Sequence, residues 1–224
     1  MTGKLIVFEG LDGAGKATQT KLLAQKLKQL KIPATTIDFP QYGTWNAVFV
    51  EKYLNGVLGT LDEITPQQAS LFYALDRFAA RKNLLQWLEH GKIVIANRYV
   101  AANQAYQGSK VPDDKRAAFL EWLDNLEHEI LQLPRPAITV YLRMPLNVSS
   151  QLIDKRHQRE YIKEGNKDLH EKSSQLLQRA YDVYEQLAQK EKWVAIDCMN
   201  ADKLRSKEEI REMIWVEIKR FCEL

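Results

Sequence analysis

The stretch Lys4-Leu5-Ile6-Val7-Phe8-Glu9-Gly10-Leu11-Asp12-Gly13-Ala14-Gly15-Lys16 decides how this 224-residue chain is read. It runs from a short apolar segment, through three glycines, to a lysine that opens a helical pattern. The spacing is G-x-x-x-x-G-K between a strand and a helix, the context in which that pattern binds phosphate. Glycines let successive backbone N–H groups turn inward toward phosphate oxygens, and the start of the helix adds its positive dipole end. Lys16 supplies a mobile cation. Gly10, Leu11, Asp12, Gly13, Ala14, Gly15, Lys16, Ala17 and Thr18 are therefore the candidate phosphate-binding residues.

Outward from this loop, the chain alternates between short apolar runs and helical patterns. The runs are Lys4 to Glu9, Ala34 to Phe39, Lys92 to Asn97, Ala137 to Leu142 and Trp193 to Asp197. Such alternation implies an α/β fold whose five-stranded parallel sheet is flanked by helices. Leu23, Leu27 and Leu30 recur at helical spacing between Lys16 and Lys31, and Pro33 lies just beyond. From Thr65 to His90 the spacing predicts one long helix, opened by Thr65-Pro66 and carrying Leu71, Leu75, Phe78 and Leu85. Residues 151–167 are dense in charge and poor in large apolar side chains, so they are read as an inserted lid unable to anchor a core. Neither a repeat nor a linker divides the chain, and a single domain over 1–224 is expected.

Composition narrows the class. With 45% hydrophobic and 27% charged residues, the chain has a globular balance. A net charge of +3 does not demand nucleic acid or an anionic membrane as partner. The longest early apolar run is Leu5 to Phe8, far short of the roughly 20 residues of a membrane span, so a cytoplasmic protein is expected. Cys198 and Cys222 show neither a disulfide framework nor metal spacing.

One position departs from the phosphate-loop pattern. Ser or Thr should follow the lysine to hold Mg²⁺, but Ala17 stands there, and Thr18 points about 100° away on the helix. If Mg²⁺ binds, carboxylates such as Asp12 must help hold it. Three polar clusters mark the acceptor: Asp38-Phe39-Pro40-Gln41-Tyr42, then Tyr73 with Asp76-Arg77, then Asn97-Arg98-Tyr99 with Asn103 and Tyr106. Ligands of parallel sheets sit beyond the carboxyl ends of the strands. Tyr73 and Arg77, four apart on a helix, offer a ring for stacking beside a cation, which suits a nucleobase.

The chain resembles the thymidylate kinases, a family of P-loop nucleoside-monophosphate kinases. The markers are Phe8 to Lys16, Phe39-Pro40, Leu75-Asp76-Arg77, Asn97-Arg98-Tyr99 and Ala105-Tyr106-Gln107-Gly108. The resemblance implies a three-layer P-loop NTPase fold with a small mobile lid, and transfer of the ATP γ-phosphate to dTMP. By the same resemblance Lys16 and the loop amides hold ATP, Asp12 meets the sugar 3′-hydroxyl and Mg²⁺, and Arg98 grips the acceptor phosphate. Tyr73 stacks on thymine, Arg77 and Asn103 bond its polar edge, and Tyr106 excludes a ribose 2′-hydroxyl. Phe39 closes the other side, and Tyr42 and Gln107 complete the acceptor site. Arg156 and Arg159 are the lid's catalytic candidates, and Glu171 is a further candidate for the metal.

A second departure is Asn97, where the family usually has Asp; the amide keeps hydrogen bonding and loses a charge. Two other readings follow. The same fold hosts deoxynucleoside kinases, against which Phe39-Pro40 and Arg77 argue, and Ala17 with Asn97 would also suit a nucleotide-binding relative that has lost catalysis. The resemblance further implies a homodimer, with contacts around Trp45, Val48 and Phe49 or on the helix from Arg116 to Leu126.

Overall fold

A computed structural model of the chain describes residues 3–60, 63–154 and 174–222. Five parallel strands form its sheet: β1 (Lys4–Glu9), β2 (Ala34–Asp38), β3 (Ile93–Asn97), β4 (Ile138–Arg143) and β5 (Val194–Asp197), in the order β2-β3-β1-β4-β5. Each strand end falls within one residue of the position expected from sequence. The central strand is β1, with Phe8 opposite Asn97 of β3 and Val140 of β4, while Asp38 at the end of β2 also faces Asn97. Connections run to one side of β1 for β2 and β3 and to the other for β4 and β5, so the loop after β1 opens at the topological switch point.

Alternation along the strands divides the core. Ile6 and Phe8 join Ile93, Ile95 and Val140 on one face, covered by Leu23 and Leu27 of α1 (Lys16–Gln29) and by Ile210, Ile214 and Ile218 of α8 (Lys207–Cys222). Leu5 and Val7 point the other way, toward Ala80 and Leu84 of α3 (Pro66–Glu89), Tyr99 and Val100. Further along that face, Tyr141 packs on Ala180, Val183 and Tyr184 of α7 (Ser174–Lys190) and on Ala105 of α4 (Val100–Gly108). Both sheet faces are thus apolar, as a buried parallel sheet requires. Shorter pieces are α2 (Val48–Leu54), α5 (Asp113–Asp124) continuing into a π-helical turn Asn125–Ile130, α6 (Leu146–Asp154), and a hairpin of β6 (Met199–Asn200) with β7 (Lys203–Leu204).

Two expectations change. Helix α1 ends at Gln29, so Leu30 lies beyond the packed turns and is exposed. Helix α3 is capped as expected, with the Thr65 side chain accepting from Gln68 N and Pro66 at its first position, but three of the four apolar residues expected to mark its packed face point outward. Leu71, Leu75 and Phe78 are 42%, 48% and 47% exposed, whereas Ser70, Asp76 and Arg77 are buried. Small residues explain the reversal: Ala69, Ala74 and Ala80 let this face approach the sheet and α4 closely, and polar groups there find partners. The lid segment also begins inside the fold, since Leu152 of α6 is half-buried against the first core face.

Candidate active site

The carboxyl ends of β1, β2 and β3 open onto a cavity of about 410 Å³. Asp12, Gly13, Gly15, Lys16, Ala17, Phe39, Tyr42, Tyr73, Arg77, Arg98, Asn103, Tyr106 and Gln107 all line it, which brings most of the sequence-derived candidates together. Arg156, Arg159 and Glu171 lie outside the described residues. Leu11 and Ala14 are buried, Ala14 in the core below the loop, and Thr18 is exposed outside the cavity, so these three contribute backbone at most.

At the phosphate end the backbone has little freedom. Gly10 has φ 137°, and a Cβ there would stand 2.7 Å from the Leu142 carbonyl, so glycine is required by both conformation and space. Gly15 enters α1 at φ 91°. The Lys16 ammonium folds over the loop, donating to the carbonyls of Gly10 (3.0 Å) and Leu11 (2.8 Å). Arg98 sits in the left-handed region at φ 66°, a strained conformation for a non-glycine residue, held by its N–H donating to Phe8 O at 2.9 Å. Its guanidinium lies against the loop. There Nη2 pairs with Asp12 at 2.8 Å, Nη1 donates to Gly10 O at 3.2 Å, and the group lies 5.1 Å from the Tyr106 ring centroid. Tyr106 in turn donates to Asp12 Oδ2 at 2.9 Å.

Sequence reading assigned Glu9 no role, yet it organises this end. Fully buried at the end of β1, its carboxylate accepts from the N–H groups of Tyr99 (2.7 Å) and Ala102 (3.3 Å) and from the Tyr184 hydroxyl (3.0 Å). Helix α4 has no capping side chain of its own, so Glu9 caps it from another strand. Burial pushes the Glu9 carboxyl up, while Arg98 and the Tyr99 amide act against that. Burial also works against a charged Arg98, but Asp12 and the neighbouring tyrosines hold its guanidinium well above its ordinary value. A charged residue at the end of an otherwise apolar strand was the available signal.

The end of the cavity away from the phosphate loop rests on α3, α4 and the π-helical turn. Arg77 is buried and grips the equally buried Glu127 with two nitrogens, Nε to Oε2 at 2.6 Å and Nη2 to Oε1, while Nη1 reaches Tyr99 O at 3.4 Å. Asn103 Nδ2 donates to Glu127 Oε1 at 2.9 Å and to Ser70 O at 3.1 Å. The remaining wall is the loop carrying Phe39 and Tyr42, anchored by Gln41 N donating to Asp76 at 3.2 Å. Burial pushes the Asp76 carboxyl up to about 6. Tyr73 meets Tyr53 edge to face, with centroids 6.3 Å apart. Glu127 lies in an unremarkable charged run, and only folding reveals that it turns inward.

The departure at Asn97 has a neighbour that answers it. Asn97 Nδ2 donates to Asp38 Oδ1 at 2.7 Å, and both residues line the cavity beside Ala17. A carboxylate is thus present at this end on β2 instead of β3.

Comparison with known proteins agrees with this geometry. The sequence profile described as Thymidylate kinase matches residues 8–214. A thymidylate kinase of Mycobacterium tuberculosis is 33% identical over 186 residues, covering 82% of this chain and 85% of that protein. Another from Plasmodium falciparum is 26% identical over 195 residues, covering 87% and 82% respectively. In fold, the chain is similar to a solved thymidylate kinase structure from Candida albicans, with a TM-score of 0.74 and 22% identity over 98% of this chain and 92% of that one. A profile spanning nearly the whole sheet and both ends of the cavity leaves one assignment: this chain belongs to the thymidylate kinase family.

Proposed function

We propose that the chain transfers the γ-phosphate of ATP to dTMP, giving dTDP, with its acceptor in the cavity between the phosphate loop and α3. The observation that carries this reading is one continuous cavity with a phosphate loop and Arg98 at one end and the Arg77, Asn103 and Tyr73 group at the other. Phosphoryl transfer needs little covalent chemistry from the protein; it needs alignment and neutralised charge on the transferred group. In this reading Lys16 and the loop amides bind the donor phosphates, and Arg98 binds the acceptor phosphate. Asp12, already joined to Arg98 and Tyr106, takes the sugar 3′-hydroxyl. Tyr106 blocks a 2′-hydroxyl, Tyr73 and Phe39 sandwich the base, and Tyr42 and Gln107 complete the wall. Arg156 and Arg159 in the lid supply further positive charge to the transferring group.

Mg²⁺ fits the donor set on chemical grounds. Asp12 and Asp38 offer carboxylate oxygens, and the buried Asn97 Oδ1 has no protein partner beside them. Among the described residues, however, there is no group of three or more His, Cys, Asp or Glu that could hold a metal, so nucleotide phosphates and water would share the coordination. Glu171 is the further candidate. Held there with ATP, Mg²⁺ would supply positive charge against the donor phosphates.

We also take the chain to act as one kinase domain and as a homodimer in the cytoplasm, without nucleic-acid or membrane partners. Supporting the dimer, Leu71, Leu75 and Phe78 form one exposed apolar face of α3, and Trp45, Val48 and Phe49 are exposed as well. Among the described residues no helix is long and apolar enough to cross a membrane. A monomer by light scattering would overturn the dimer.

The decisive assay is ADP release from ATP and Mg²⁺ with dTMP, dUMP, dGMP, dCMP, AMP or thymidine, using Lys16→Ala as background. Turnover with dTMP that vanishes in Lys16→Ala is expected. Activity on thymidine alone would make the chain a nucleoside kinase, and silence with every acceptor would make it a binding protein.

A further inference from the structure

We propose that Glu127 is a positioning residue for base choice: it fixes the amide of Asn103 so that an acceptor, and not a donor, faces the substrate. The inference rests on the dTMP reading above and adds to it the group that sets the polarity of the base end.

Chemistry decides the orientation of this amide. The Asn103 atom that lies 2.9 Å from the Glu127 carboxylate and 3.1 Å from the Ser70 carbonyl faces acceptors on both contacts, so it is the NH₂ group. Oδ1 is therefore the atom left for the cavity; it is buried, lacks any protein partner, and Asn103 itself is 3% exposed. One helical turn on, Gln107 is fixed in the opposite sense. Its Oε1 accepts from the Lys110 ammonium at 2.8 Å, a group that can only donate, so Nε2 is left without a protein partner. Lys110 is held in turn by the Tyr53 hydroxyl at 2.5 Å.

A carboxylate behind one amide and an ammonium behind the other thus leave an acceptor at 103 and a donor at 107. Arg77, which shares Glu127 with Asn103, adds a second donor. Along the cavity wall an acceptor on Asn103 thus stands with donor groups on Arg77 and, more deeply buried, on Gln107. Thymine presents the complement, with O4 and O2 as acceptors on either side of the N3–H donor. Cytosine reverses two of these, setting its N3 acceptor against Asn103 Oδ1 and its 4-amino group against Arg77. Buried polar groups left facing their own kind are costly, so the arrangement rejects a cytosine without steric exclusion.

The test compares kcat/KM for dTMP with that for 5-methyl-dCMP, which keeps the methyl group and shape and changes only the polar edge. The unmutated protein is expected to prefer dTMP by about 10²-fold or more. In Glu127→Gln the carboxylate that accepts from Asn103 is gone, and only the Ser70 carbonyl still selects the NH₂ group on that side. The preference is expected to fall by about 10-fold or more, through a higher KM for dTMP with kcat changed less than about 3-fold. Lys110→Met should weaken the preference less. A preference unchanged in Glu127→Gln, even with a lowered melting temperature, would reduce Glu127 to a structural role and overturn the inference. If Glu127→Gln does not fold, N3-methyl-dTMP on the unmutated protein replaces it: binding equal to dTMP overturns the inference, and about 10²-fold weaker binding is expected. Absence of dTMP turnover by the unmutated protein would overturn the substrate reading itself.

Discussion

The two ends of the cavity use arginine in opposite ways. Arg98 is held by its backbone: a left-handed φ, an N–H bonded to β1, and a side chain 13% exposed whose acidic partner Asp12 is 18% exposed. Arg77 is held by its side chain, in a pair with Glu127 so buried that the two are 2% and 0% exposed. Water reaches the first pair and can solvate Asp12 if Arg98 is lost. The second pair is almost wholly buried, and removing one member strands a charge there. The phosphate end should therefore register damage mainly as lost rate, and the base end as lost stability.

The largest effect expected is Arg77→Ala, which leaves Glu127 unpaired in the core and should cost about 3–5 kcal/mol of stability, read as a drop in denaturation midpoint. An intact midpoint would show that water reaches Glu127 and would erase the contrast. Next, Arg98→Ala should reduce kcat/KM by about 10²-fold or more, on the order of 3 kcal/mol, with a midpoint close to that of the parent. Unchanged kinetics would remove Arg98 from the acceptor site.

Asp76 sharpens the comparison through pH. Its folded-state value of about 6 stands above the ordinary 3.8, because burial disfavours the charge. Between those values the folded chain keeps a proton that the unfolded chain has released, so stability falls as pH rises from about 4 to about 6. Relative to Asp76→Asn, the parent should lose up to about 3 kcal/mol across that window and change little above it. Parallel stability curves for the two would show that the carboxylate is solvated. The smallest effect is at the rim: Thr65→Ala removes the cap of α3 and should cost about 1 kcal/mol in denaturant titration, leaving kcat unaltered.

The same contrast explains what could be read before the structure. Strand runs, the glycine spacing up to Lys16 and the Thr65-Pro66 cap are local signals, and each stands where expected. The end we assign to the base was legible in part, because Tyr73 and Arg77 share a helix face and line the same cavity. Its polarity was not, since that depends on Glu127, 50 residues from Arg77 in sequence and within hydrogen-bond distance in space. What Glu9 and Asp76 bond escaped for the same reason, although Asp76 was singled out in a polar cluster: each accepts from the backbone of a distant segment, and no spacing rule encodes that. Helix α3 misled because Leu71, Leu75 and Phe78 have core periodicity yet face outward. Their periodicity marks an apolar face without saying what covers it.

One measurement tests the account of the two ends most directly: binding of dTMP and thymidine, by calorimetry, to the parent and to Arg98→Ala. If Arg98 grips the acceptor phosphate while the base is held independently, removing the phosphate and removing Arg98 should be redundant. The two changes together should then cost about 2 kcal/mol less than their sum, and thymidine should bind both proteins alike. Additive losses, or thymidine binding that collapses in Arg98→Ala, would contradict the division of the cavity into a phosphate end and a base end.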